Sequence, residues 1–161
     1  MPRRIADQLI AHARREAPDE CWGLLGGRDG EVLGAFECAN GAAPDDRPFR
    51  YETEPRSQRE ADDAIGGRGW EIAGIYHSHT HTQPFPSPTD IGEANPFLGD
   101  IAYVLVSLRT PHQPYVYRNM AREAWEQAHA YAQTLPEEPE IAAFYIRDGR
   151  AEQMPLEIVD A

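Results

Sequence analysis

His77-Ser-His79-Thr-His81-Thr-Gln-Pro-Phe85-Pro-Ser87-Pro-Thr-Asp90 is the stretch on which the reading of this chain turns. The segment before it, Trp70-Glu-Ile-Ala-Gly-Ile-Tyr76, is apolar and rich in strand formers, so His77 and His79 are expected at a strand end. Residues i and i+2 of a strand share a face, so both imidazoles can converge on one ion while Ser78 faces away. Asp90 is the candidate third ligand. Neutral imidazole and carboxylate are ligands of catalytic zinc, and three protein ligands leave a fourth position open to water. Ser87-Pro88-Thr89-Asp90 also reads as a helix start, with serine at the N-cap, proline at N1 and an acid at N3.

Working outward, Ile5, Leu9, Ile10 and Ala13 make a helical stripe that ends near Ala17-Pro18. Cys21 to Gly27 reads as a buried strand, Asp29-Gly30 as a hairpin turn, and Glu31 to Cys38 as the return strand. A polar loop over Asn40 to Pro48 leads to a short strand at Phe49 to Glu52 and a helix over Glu54 to Ile65. Beyond the histidines, Ile101 to Ser107 is strand-like and Tyr115 to Tyr117 is a weaker strand. Arg122 to Thr134 is a helix with Trp125, His129 and Ala132 on one side, followed by a linker, Leu135 to Pro139. Ile141 to Ile146, a turn at Asp148-Gly149 and a strand near Leu156 to Val159 close the chain. Strands interspersed with helices predict a mixed α/β layered domain spanning residues 1–161.

Composition narrows the function. A net charge of -12 disfavours nucleic acid, whose phosphates require clustered cations, and disfavours anionic membranes for the same reason. The chain has no apolar run long enough to span a bilayer, and Met1-Pro-Arg-Arg lacks a following apolar region that would make a secretory signal. Two cysteines, Cys21 and Cys38, cannot build a disulfide framework and read as buried thiols in a reducing cytoplasm.

His77-x-His79, seven residues, then Ser87-x-x-Asp90, together with Pro18-x-Glu20-x-x-Gly23-Leu-Leu-x-Gly27 upstream, resembles the JAMM (MPN+) metallopeptidase motif. The likeness is strongest to the short bacterial branch that acts on ubiquitin-like sulfur-carrier proteins. It also covers Tyr103 to Ser107 and the Phe144 to Gly149 hairpin. The resemblance implies an α/β, cytidine-deaminase-like three-layer sandwich with a mixed, curved sheet flanked by helices. It implies Zn2+ held by His77, His79 and Asp90, Glu20 as the proton-transferring base, and Ser87 as the oxyanion donor. The implied reaction is hydrolysis after the Gly-Gly tail of a ubiquitin-like or sulfur-carrier protein, releasing cysteine or another C-terminal residue. The loop holding Phe85 is placed to shape the cleft, and Asn40 and Tyr51 to line it.

Two features depart from the family pattern. Trp22 stands where cysteine usually precedes the glycine, with Cys21 one place earlier; Glu20 keeps its three-residue spacing to Gly23. Residues 120–139 look like an added helical segment, which either reshapes the substrate surface or supports a homodimer. Two rival readings share parts of the pattern. One is a catalytically silent MPN scaffold, which usually lacks a ligand, whereas none is missing here. The other is a RadC-like protein of DNA-linked function, disfavoured by the Pro18–Gly27 element and the acidic charge.

Overall fold

The computed structural model describes residues 1–94, 100–109 and 115–160. Its elements are α1 (Arg3–Glu16), β1 (Trp22–Arg28), β2 (Glu31–Cys38), α2 (Pro55–Gly66), β3 (Glu71–His79), α3 (Pro88–Glu93), β4 (Ala102–Ser107), α4 (Arg122–Ala132), β5 (Glu140–Arg147) and β6 (Arg150–Met154). The strands form one sheet in the order β2-β1-β3-β4-β5-β6. Every neighbouring pair is antiparallel except β3 and β4, so the sheet is mixed. The parallel pair sets His77 beside Leu105 and His79 beside Ser107. Ligands in open α/β sheets gather beyond the carboxyl ends of parallel strands, and this end of β3 carries the histidines.

Alternation along β1 and β3 sorts the core into two layers. Leu25 and Tyr76 pack with Ile5, Leu9 and Ala13 of α1. Trp22, Leu24 and Ile75 pack with Ala61 and Ile65 of α2. Helices therefore cover both faces of the sheet, giving the three-layer α/β sandwich. Ile5 and Leu9 are fully buried, each contributing about 1.5–3 kcal/mol of apolar transfer. Arg14 and Arg15 in the last turn of α1 complement its dipole. Close packing of β1 depends on Gly23: a Cβ there would collide with the Phe36 carbonyl oxygen and lie 2.6 Å from the Tyr76 ring.

Both two-residue turns have the backbone that hairpins favour, with positive φ at Asp29 (54°) and Gly30 (80°), and at Asp148 (51°) and Gly149 (70°). Three expected strands are absent as such. Phe49 to Glu52 forms no strand, because the Phe49 and Arg50 amides bond locally to the Asp46 carbonyl; only Asn40 and Thr53 form a bridge. Tyr115 to Tyr117 is likewise irregular, tied through the Val116 amide to the His81 carbonyl. The last strand is β6, not Leu156 to Val159: the tight turn pairs Arg147 with Arg150 at once, and the strand stops before Pro155. Val159 instead bridges to Pro2. Cys21 and Cys38 are free and buried, and burial raises their thiols to about 12 and about 11. His112 lies outside the described residues. Among the described residues no helix is long and apolar enough to cross a membrane.

Candidate metal centre and its cleft

The strand end positions His77 and His79 as the period-two rule requires. Their Nε2 atoms are 3.1 Å apart, while Ser78, on the other face, accepts the Cys21 amide at 2.8 Å. Asp90 arrives from α3. Its Oδ1 is 3.4 Å from His77 Nε2 and its Oδ2 is 3.4 Å from His79 Nε2. These three side chains form a group able to hold a metal ion. Two donors each about 2.0–2.1 Å from one ion at the tetrahedral angle stand roughly 3.3 Å apart. The three observed separations match that spacing, so the donor set fits zinc.

Neighbouring groups fix the donors. His79 Nδ1 donates to the Gln83 carbonyl at 2.7 Å, which makes Nε2, facing His77 and Asp90, the nitrogen that could coordinate a metal once deprotonated. His77 is 1% exposed and tilts against the Tyr51 ring at 4.9 Å. Tyr51 in turn stacks on Trp22 at 5.4 Å, and Trp22 Nε1 donates to the Ala39 carbonyl at 2.8 Å. The tryptophan that departs from the family pattern is thus a core anchor behind the first histidine. On the third ligand, Ser87 Oγ accepts the Asp90 amide at 3.1 Å and the Ser87 amide donates to Asp90 Oδ2 at 2.6 Å. The capping box is complete, and it orients the Asp90 carboxylate.

Opposite charges offset one another in this buried site. Burial opposes ionisation of Asp90, yet His77 and His79 outweigh it and hold the carboxyl far below its usual range. Burial would lower His79, but hydrogen bonding to Asp90 and the nearby carboxylates Glu20 and Asp90 carry it to about 9. Glu20 is 6% exposed; burial raises it to about 8, with His79 opposing and Asp90 adding to the shift. Glu20, Ser87, His79 and Asp90 line one cleft of about 160 Å³ together with Arg50 and Tyr51. All five candidate residues thus meet: His77, His79 and Asp90 by direct approach, Glu20 and Ser87 across the cleft. The cap engages Ser87 Oγ as an acceptor only, so its proton has no acceptor among the described residues.

Asn40, expected to line the cleft, is not among its lining residues and instead anchors the wall from behind. Its Nδ2 donates to the Glu20 and Arg50 carbonyls at 2.9 and 3.1 Å, and its Oδ1 accepts the Ala42 and Glu52 amides at 2.9 and 3.1 Å. Tyr51 lines the cleft as expected. Phe85 is not among the lining residues; it is 47% exposed and packs edge-on against Phe144 at 5.3 Å. Sequence reasoning missed Gln83, which acts through its carbonyl and so leaves no side-chain signal. It also missed Arg50 and Arg118, which reach the cleft from irregular segments without periodicity.

Comparison with known proteins agrees with this geometry. The chain is 35% identical over 109 residues to the CysO-cysteine peptidase of Mycobacterium tuberculosis, covering 68% of this chain and 73% of that protein. It is 34% identical over 89 residues to the desampylase of Haloferax volcanii, covering 52% of this chain and 63% of that protein. The solution structure of a protein from Desulfitobacterium hafniense superposes with a TM-score of 0.70 at 23% identity, covering 99% of this chain and 92% of that one, which establishes the shared fold. Residues 2–126 match the family of prokaryotic homologs of the JAB domain, and it is to this JAMM-type family that the chain belongs.

Proposed function

We infer that this chain is a zinc-dependent peptidase that hydrolyses the peptide or isopeptide bond following the Gly-Gly tail of a ubiquitin-like or sulfur-carrier protein. Release of cysteine or another C-terminal residue is the most concrete form of that reaction, in keeping with the relatives named for CysO-cysteine and for desampylation. The observation that carries the reading is the mutual spacing of the three donors, 3.1 and 3.4 Å, beside a buried glutamate. A silent scaffold has no need of either.

When bound at His77, His79 and Asp90, zinc supplies Lewis acidity, bringing the pKa of water towards about 7 and polarising a carbonyl. Glu20 takes the proton of the attacking water on its carboxylate and returns it to the departing nitrogen. One carboxyl group can make both transfers because its acid and base forms alternate through the cycle. Ser87 donates its uncommitted proton to the carbonyl oxygen as negative charge develops there. Tyr51 and Arg50 wall the cleft beside the reacting groups. One domain over residues 1–161 carries this chemistry, with residues 120–139 as an added helical segment. The charge of -12 supports a protein partner over nucleic acid or a membrane surface, and the free thiols of Cys21 and Cys38 support a reducing cytoplasm.

The test is incubation of the purified chain with ubiquitin-like carriers extended at their C termini, read by intact mass. Loss of a defined tail, abolished by chelator and restored by zinc, is the expected result. Intact carriers in every case, with stoichiometric zinc bound, would reject the substrate class; a chain that takes up no metal would reject the mechanism.

A further inference from the structure

Behind the cleft lies a second cavity of about 160 Å³, lined in part by Thr80, His81, Arg109, His129, Gln133 and Glu137. It belongs to none of the chemistry above, although His81 lines both spaces. Arg109 is 4% exposed, and among the described residues its guanidinium forms no ion pair, the cavity's own acid being engaged by Arg14. Burying an unpaired charge is among the costliest arrangements a fold can adopt, so a cation placed this way calls for an anion. Glu137, the acid on the cavity wall, is directed to Arg14, whose Nε stands 3.4 Å from Oε2.

One wall residue, His129, and its neighbour Trp125 outside the lining carry ring nitrogens without partners among the described residues. His129 Nδ1 is buried with no partner among the described residues, as is the indole Nε1 of Trp125, which stacks on the His129 ring at 4.8 Å and 8°. The His81 ring stands 5.2 Å from that of His129. The volume would hold roughly five waters at about 30 Å³ each, enough for a small ligand. A guanidinium presents paired N–H groups that match two oxygens of a carboxylate or sulfate.

We propose that this cavity binds a small oxyanion, with Arg109 as its counter-charge and the His129 imidazole as a second contact. The anion has two sources: a free solute, or the terminal carboxylate of a peptide reaching past His81 from the cleft. The site is independent of whether the chain is a peptidase, and its test needs no turnover.

Sodium sulfate and N-acetylglycine are titrated separately into the full chain at constant ionic strength, with N-acetylglycinamide as the uncharged control. The readout is the set of tryptophan indole N–H resonances. Saturable movement of the Trp125 signal with either anion, without movement of Trp22 beside the metal ligands, is expected. Arg109→Gln should weaken that response at least about tenfold, and Glu137→Gln should strengthen it. Saturation by N-acetylglycine at lower concentration than sulfate assigns the site to a terminal carboxylate; the reverse order assigns it to a free inorganic anion. No saturable response, a response at Trp22 alone, or an equal response in Arg109→Gln would overturn the proposal. Should Arg109→Gln fail to fold, the site-resolved response of the parent and of Glu137→Gln decides.

Discussion

Asp90 accepts the backbone amide of Ser87 at 2.6 Å through Oδ2, the same oxygen that stands 3.4 Å from His79 Nε2. One carboxylate oxygen therefore serves the start of α3 and the donor set together. Local folding of the Ser87–Asp90 turn and assembly of the centre are parts of one event, which explains how a helix of only six residues can present a ligand reliably.

The two roles separate by substitution. Asp90→Asn keeps an oxygen that can accept the Ser87 amide but loses the charge, so bound zinc should fall sharply with little loss of metal-free stability. Asp90→Ala should lose the metal and, in addition, about 0.5–2 kcal/mol of stability from the broken cap. Metal analysis and denaturant unfolding of the metal-free variants measure both. Equal stability of the two would show that the cap contributes nothing.

Ser87→Ala removes the cap and the free hydroxyl proton while sparing all three donors. Zinc content should stay stoichiometric, stability should drop by about 1 kcal/mol, and turnover should fall by ~10²–10³. Single-turnover rates on a tailed carrier, taken at temperatures where the variant is fully folded, decide the point. Unchanged turnover would confine Ser87 to capping.

Glu20→Gln should retain zinc and lose ~10²–10⁴ in turnover, the range for a general acid or base. The same substitution has a signature in the metal-free chain. Folding raises Glu20 from its ordinary 4.5 to about 8, so between those values the folded state holds a proton the unfolded state has released. Its contribution to stability is complete below 4.5 and is lost as pH rises through 8. His79, raised from 6.5 to about 9, declines in the same direction but only above 6.5. Between pH 4.5 and 6.5 His81, lowered by burial to about 4, and His12 and His129, also lowered by burial, act in the opposite sense. Glu20 is therefore read from the difference between parent and variant under urea. The stability of the parent relative to Glu20→Gln should fall as pH rises from 4.5 to 6.5, and a difference independent of pH would remove the buried carboxyl from the account.

Gly23→Ala tests the packing that holds β1 against β3. The added methyl meets the Phe36 carbonyl, which is fixed in the sheet, and the Tyr76 ring, whose hydroxyl is 2.9 Å from His12 Nδ1. Neither can yield cheaply, so a loss of about 1–3 kcal/mol is expected by chemical denaturation. A neutral result would mean that β1 shifts as a body.

Much of the architecture was readable because local rules and tertiary contacts agree. The α1 stripe buries Ile5, Leu9 and Ala13 as its spacing requires, and β2 runs from Glu31 to Cys38 behind a turn whose two residues both take positive φ. The donor triad was readable because its spacing is compact: two strand residues and one residue of the next helix. Elements failed where backbone bonding is local. Phe49 to Glu52 has strand-like residues, but its amides were claimed by Asp46 and by the Asn40 side chain. The hairpin at Asp148-Gly149 was expected, yet its return strand was misplaced because Arg150 to Gln153 carries no apolar alternation. Arg109 and His129 gave no signal, since a cavity shared by a strand exit and a distant helix has no period in the chain.

Asn40 ties the two banks of the cleft to each other. With both of its donors and both lone pairs spent, its amide admits a single orientation, and Glu20 and Arg50 hang from the same nitrogen. Under the proposed function, the proton-transferring segment and the cleft wall are therefore held by one amide. A change in selectivity made by reshaping the 40–53 loop will be felt as a change in catalytic rate, and tailoring one without the other requires that this amide be left alone.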